Sequence, residues 1–128
     1  MENFNERLLI KLIFILFLNT SPVLAQEIEW QNTIGGSEED QLFSIQQTND
    51  GGYILGGYSY SAISGDKTEA TIGTFGDMDY WIVKTDAMGN IQWQNTIGGN
   101  SMEKNINIKQ NAEGGYLLAG ISWSGISG

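Results

Sequence analysis

The side chains in this sequence that could do chemistry are carboxylates. Of 128 residues, 15 are Asp or Glu and 6 are Lys or Arg, and there is neither His nor Cys. Without His, the Ser-His-Asp triad, the Cys-His pair and His-ligated zinc are excluded. Without Cys, so are disulfides, thiolate metal sites and a lipoprotein anchor. Acid chemistry and oxygen ligation remain. Asp66, Glu69 and Asp77 lie on one long connection, 61–78, rich in Ser, Thr and Gly, with Asp79 just beyond it. Such a loop suits Ca²⁺, which takes about six to eight hard oxygen ligands. The EF-hand spacing is missing, so a calcium loop stands here as an expectation beside the plainer reading of a flexible acidic loop. The densest acidic run, Ser37–Gln41 (SEEDQ), reads as a solvated loop. Its counterpart, Asn100-Ser-Met-Glu-Lys104, has lost the charge, and a recurring cation site should recur. Two carboxylates about 5 to 9 Å apart could also serve a glycosidase, but spacing along the chain does not say which two. No catalytic residue is assigned. The Gly-Gly pairs lie in hairpin turns with no helix following, so no phosphate loop or dinucleotide fingerprint is present.

Charge and the N-terminus set the compartment. The formal net charge is −9, and such a chain has little with which to neutralise phosphates, so no nucleic-acid partner is expected. Arg7 and Lys11 precede an unbroken apolar run, Leu12–Leu18, then Asn19-Thr-Ser-Pro22 and small residues at Val23 and Ala25. That order is the plan of a secretory signal peptide over 1–25. The run is far short of the roughly 20 residues that span a bilayer, so no membrane span is expected after cleavage. The expected location is secreted, cell-surface or periplasmic.

Residues 26–128 are dominated by a repeat. Trp30-Gln-Asn-Thr-Ile-Gly-Gly36 recurs word for word as Trp93–Gly99, an offset of 63 residues. The same offset carries Gly51–Gly57 onto Gly114–Gly120 and Ser59–Gly65 onto Ser122–Gly128. Aligning 28–65 with 91–128 without a gap gives 20 identities in 38 positions. A fixed period of this size marks a stacked or radial repeat architecture.

Each unit reads as a meander of short strands. Phe43, Ile45 and Gln47 alternate with Ser44, Gln46 and Thr48, a half-buried strand. Asn49-Asp-Gly-Gly52 is a hairpin turn, and Tyr53–Tyr60 follows as a strand apolar on both faces. Asp79–Thr85 is a third strand, again apolar on both faces. Ile91, Trp93, Asn95 and Ile97 are expected to form the covered face of a fourth, with Gln92, Gln94 and Thr96 on its open face. Trp30 and Trp93 are expected in core packing, although an exposed indole could stack on a sugar. Doubly covered strands flanked by half-covered ones suit a blade packed between neighbours. The expected fold is therefore all-β: antiparallel four-stranded meander blades, part of a β-propeller. Residues 28–34 form the outer strand of a preceding blade, 43–97 a complete blade and 105–123 the first half of the next. Gly128 falls mid-unit, at the position of Gly65, so the chain is expected either to be a fragment whose further blades belong to a longer protein, the favoured reading, or to complete itself by association.

The words Trp-Gln-x-Thr-Ile-Gly-Gly-Ser, Ser-Ile-Gln-Gln-Thr-x-Asp-Gly-Gly-Tyr-Ile-x-x-Gly and Asp-x-Asp-Tyr-Trp-Ile-Val-Lys-Thr-Asp-x-x-Gly-Asn, together covering much of 28–128, resemble the tandem repeats of large secreted proteins of Bacteroidetes-type bacteria. The resemblance implies a β-propeller and surface or extracellular display, with binding or scaffolding more usual than catalysis. It carries over no catalytic residue. The sugar-binding word of bulb-type lectins, Gln-x-Asp-x-Asn-x-Val-x-Tyr, is absent. The expectation is thus an exported, non-catalytic binding, display or adhesion scaffold, with a glycan or protein ligand at its loop face. The alternative is the propeller portion of a secreted glycosidase-like hydrolase using acidic residues.

Overall fold

A computed structural model describes residues 27–73 and 76–125. The expected signal peptide lies outside the described residues. Among the described residues six strands form in sequence order: β1 (Asp40–Gln47), β2 (Tyr53–Ser59), β3 (Asp79–Thr85), β4 (Ile91–Ile97), β5 (Glu103–Gln110) and β6 (Tyr116–Ser122). The first four make an antiparallel sheet in the order β1-β2-β3-β4, and β5 and β6 make a second sheet of two. All-β meander folding follows the sequence reading. Among the described residues no helix is long and apolar enough to cross a membrane.

The hairpins repeat as their words do. Thr48 N donates to Gly52 O at 2.9 Å, and Asn111 N to Gly115 O at 2.9 Å. Both turns need positive φ, +82° at Gly51 and +88° at Gly114, which glycine adopts without a Cβ clash. The β3–β4 turn is braced by Asp86, whose Oδ1 accepts from Met88 N and Asn90 N.

The two sheets stack face to face. Ile54 and Ile82 of the first sheet meet Ile106 and Ile108 of the second in a buried aliphatic cluster, flanked by Tyr80, Tyr116 and Leu118. Gly56 permits the close approach, because a Cβ there would stand 3.1 Å from Ile108 Cγ2. The contact runs chiefly from β1 and β2 to β5, with a smaller share from β3 through Ile82. Polar groups fix its register: Ser44 Oγ bridges the backbone N and O of Ile108 at 3.3 and 3.4 Å, and Gln46 Oε1 accepts from Gln110 N at 2.9 Å.

Three expectations need correction. Residues 28–34 form no strand, although their words match those of β4. A strand needs an edge to pair with. β4 has β3 beside it, whereas 28–34 lies across the first sheet, with Trp30 edge-on to Tyr53 at 5.8 Å and Asn32 Nδ2 bonded to Gly89 O at 3.0 Å. Beyond Ile91 and Gln92, which are half-buried and exposed as expected, the faces of β4 are the reverse of those expected. Thr96 is buried and Gln94 half-buried, whereas Trp93 is 41% exposed. The long connection lies over them: Gln94 Oε1 accepts from Thr68 N and Trp81 Nε1, and its Nε2 donates to Asp66 O. Trp93 is therefore not a core residue, although it packs edge-on against Tyr116 at 5.6 Å.

Candidate functional site

The acidic residues are mostly taken up in holding loops to strands. Asp40, at the start of β1, accepts from Gly36 N at 2.7 Å and from Ser61 Oγ, while Ser61 Oγ also receives Glu38 N at 2.9 Å. One repeat further on, Glu103 accepts from Ser124 Oγ, which receives Ser101 N at 3.1 Å. Ser59 Oγ accepts from Ser61 N at 3.0 Å, and Ser122 Oγ from Ser124 N at 3.1 Å. A carboxylate and two serines thus close the same corner in both units. The Ser-x-Ser words and the acid opening the first strand of each unit were the sequence signal for it.

The carboxylates of the expected calcium loop go to different places. Asp66 Oδ2 accepts from Gly35 N at 3.1 Å, and Glu69 Oε2 from Thr96 N on β4. Asp77 lies against Gly73, where a Cβ would stand 3.2 Å from its Oδ2. Asp79 Oδ2 accepts from Ile72 N. Among the described residues no group of three or more acidic side chains is placed to hold a metal ion. The connection is pinned instead by Lys67, which the sequence reading did not single out. Its ammonium is buried, donating to Glu69 O and to Thr96 Oγ1 at 3.1 Å. Burial lowers its pKa, opposed by the charges of Asp79, Asp40 and Glu69.

One carboxyl pair is brought together across the two sheets, Asp79 of β3 and Glu103 of β5. Both are buried, and neither Asp79 Oδ1 nor Glu103 Oε2 has a hydrogen-bond donor among the described residues. A single point, the Cβ position at Gly98, lies 1.8 Å from the first oxygen and 2.9 Å from the second. Glycine is required there for space rather than for φ. Burial, aided by the neighbouring Glu103, raises the Asp79 pKa to about 6. A proton on Asp79 supplies the donor that two carboxylates lack, so this is a proton-sharing junction between sheets. It does not line the cavity described next.

That cavity, about 450 Å³, lies on the other face of the first sheet, beneath the segment around Trp30. Trp30, Leu42, Ile45, Tyr53, Leu55 and Trp81 make its apolar wall, with Asn32, Asp40 and Gln41 as polar members. Its size falls in the range of small-ligand clefts, roughly 300–1,000 Å³. The aromatic rings offer stacking faces, and the polar members offer both donors and an anionic acceptor. Sequence reasoning placed binding at the loops and missed this cleft, because it depends on 28–34 crossing the sheet instead of joining another.

Compared with models of known families, with characterised proteins and with solved structures, the chain matches none significantly.

Proposed function

We propose that the chain is an exported, non-catalytic repeat scaffold of the β-propeller kind that binds or displays a ligand at the cell surface or outside the cell. The observation that carries this reading is the repetition of whole packing motifs at the 63-residue offset. The Trp30–Tyr53 edge contact at 5.8 Å recurs as Trp93–Tyr116 at 5.6 Å, and the serine–carboxylate corner recurs with it. Units built alike and stacked face to face suit radial repetition, in which further blades of the same kind continue the stack. The cleft beside Trp30 and the adjoining loops are where a neutral glycan or a protein ligand would bind. The acidic chain disfavours anionic polymers. The glycosidase alternative has less support, because the paired carboxyls Asp79 and Glu103 are sealed from substrate.

Fractionation of the native host together with a panel of aryl glycosides tests this reading. The expected result is processed chain in the envelope or medium, reactive to antibody on intact cells, with no turnover. Retention in the cytoplasm with an intact N-terminus would overturn the export, and turnover abolished by Asp79→Asn would establish the hydrolase.

A further inference from the structure

The contact between the two sheets has two halves, and each half is present a second time, uncovered. On one side it uses Ile54 and Gly56 of β2; 63 residues on stand Leu117 and Ala119 of β6, with the exposed Ile121 two residues beyond. On the other it uses Ile106 and Ile108 of β5; 63 residues back stand Phe43 and Ile45 of β1. Ile54 is fully buried, whereas Leu117 is 69% exposed. Ile108 is buried, whereas Ile45 is 58% exposed.

We propose that these faces dock on each other between two copies of this chain, the β5–β6 sheet of one copy receiving β1 of the next. The occupant is argued from the interface already formed within the chain, which the free faces continue residue for residue. β1, β2 and β5 make most of that interface, and each has its equivalent on a free face. Trp30 leaves the β1 side open, since Leu42, Phe43 and Ile45 all stay exposed beside the cleft. The polar clamp is conserved in chemistry too. Where Ser44 bridges the backbone N and O of Ile108, the open sheet presents Asn107, whose amide both donates and accepts. Ala119 in place of Gly56 requires the facing Ile45 of the second copy to give by a few tenths of an ångström, as the 3.1 Å approach to Ile108 shows. Because the two faces differ, the contact is heterologous, closing a ring or extending a filament according to its rotation. It rests on the stacking in the fold and not on where the chain is displayed.

The absence of native cysteine makes cross-linking a direct test. A Cβ at Gly56 would stand 3.5 Å from Ile108 Cβ, within the roughly 3.5–4.5 Å that a disulfide spans. The equivalent pair between copies is Ala119→Cys on one chain and Ile45→Cys on another. Mixed and oxidised, the two variants should give mainly the heterodimer, and the chain carrying both substitutions should give a ladder. In sedimentation velocity the unsubstituted chain should self-associate with concentration. Leu117→Lys with Ile121→Lys, and separately Phe43→Lys with Ile45→Lys, should each leave monomer, and their equimolar mixture should form a dimer and nothing larger. A chain that stays monomeric at every concentration would overturn the proposal, whether residues 1–26 or nothing covers the face. So would an Ala119→Cys homodimer exceeding the heterodimer, which marks symmetric pairing of the open sheets. All of these outcomes leave the export and turnover assays unaffected.

Discussion

β2 and β6 carry nearly the same words, Gly-Gly-Tyr-Ile-Leu-Gly-Gly running into one and Gly-Gly-Tyr-Leu-Leu-Ala-Gly into the other, yet they live in different surroundings. β2 is flanked by β1 and β3 and roofed by the second sheet, so nearly every residue from Ile54 to Ser59 is buried. β6 has β5 alone beside it, and Leu117, Ala119 and Ile121 face outward. The turn, the strand and the serine corner form in both. Where a partner strand is present, as in both of these hairpins, the local words suffice for turn and strand, and burial is conferred by the neighbour. A pattern apolar on both faces records the demand for two neighbours, and the second unit displays that demand unmet.

Equivalent substitutions in the two units should therefore differ most where the neighbour is present in only one. Ile54→Ala should cost ~2–5 kcal/mol by leaving a cavity in the inter-sheet cluster. Leu117→Ala, its equivalent, should cost under ~0.5 kcal/mol in the monomer. Urea unfolding of both at low protein concentration reads the difference, and equal losses would break the comparison.

A glycine pair sharpens it. A Cβ at Gly57 would come 2.0 Å from the backbone O of Gln41, whereas at Gly120 the obstacle is the Tyr80 hydroxyl at 2.2 Å. Backbone within a ladder cannot move aside, so Gly57→Ala should cost about 3 kcal/mol. A side chain can move, at the cost of the Tyr80 hydroxyl's bond to Ile121 O, so Gly120→Ala should cost about 1 kcal/mol. Equal thermal shifts for the two would mean that the first sheet is as loose as the second.

The junction between the sheets should make stability depend on pH. Asp79 holds its proton to about pH 6 in the folded state, against 3.8 ordinarily. The folded state therefore binds more protons than the unfolded between these values, so stability falls as pH rises through that window. A drop of about 5 °C in melting temperature between pH 4 and 7 is expected. Asp79→Asn, which offers Glu103 a donor at every pH, should remove it. An undiminished drop in that variant would place the titrating group elsewhere.

Smallest is the turn charge. Asp50 is held down to about 2, first by its bond from Thr48 Oγ1, then by the Lys84 ammonium at 2.9 Å and by Gly52 N. Its contribution is present above pH 3.8 and lost as pH falls through about 2, below the window of Asp79. Asp50→Asn should lower the melting temperature at pH 7 and flatten acid unfolding below pH 4. Glu113→Gln, the equivalent in the second unit, should do neither.

The hairpins, the meander and the doubly covered β2 and β3 were legible in the sequence because period, turn glycines and the repeat all pointed the same way. The corner built on Asp40 and Glu103 was hidden, because its parts lie about twenty residues apart and meet only when β1 and β2 pair. The face of β4 was misread for a physical reason. Gln94 and Thr96 look like solvent residues, but the 61–78 connection covers them, with Thr68 N bonding Gln94 Oε1 and the Lys67 ammonium bonding Thr96 Oγ1. The 28–34 segment was misread because its words are those of β4, and no pattern within a segment says whether an edge waits for it. The loop carboxylates were visible, but their destinations were not.

The claim that neighbours, and not words, set burial is tested most directly by amide hydrogen exchange of 53–59 and 116–122 in the same dilute sample. β2 lies between two strands and beneath a sheet, so its amides should exchange only on global unfolding. Those of β6 should exchange far sooner, by opening of the second sheet alone. Equal protection of the two strands at dilution would contradict it.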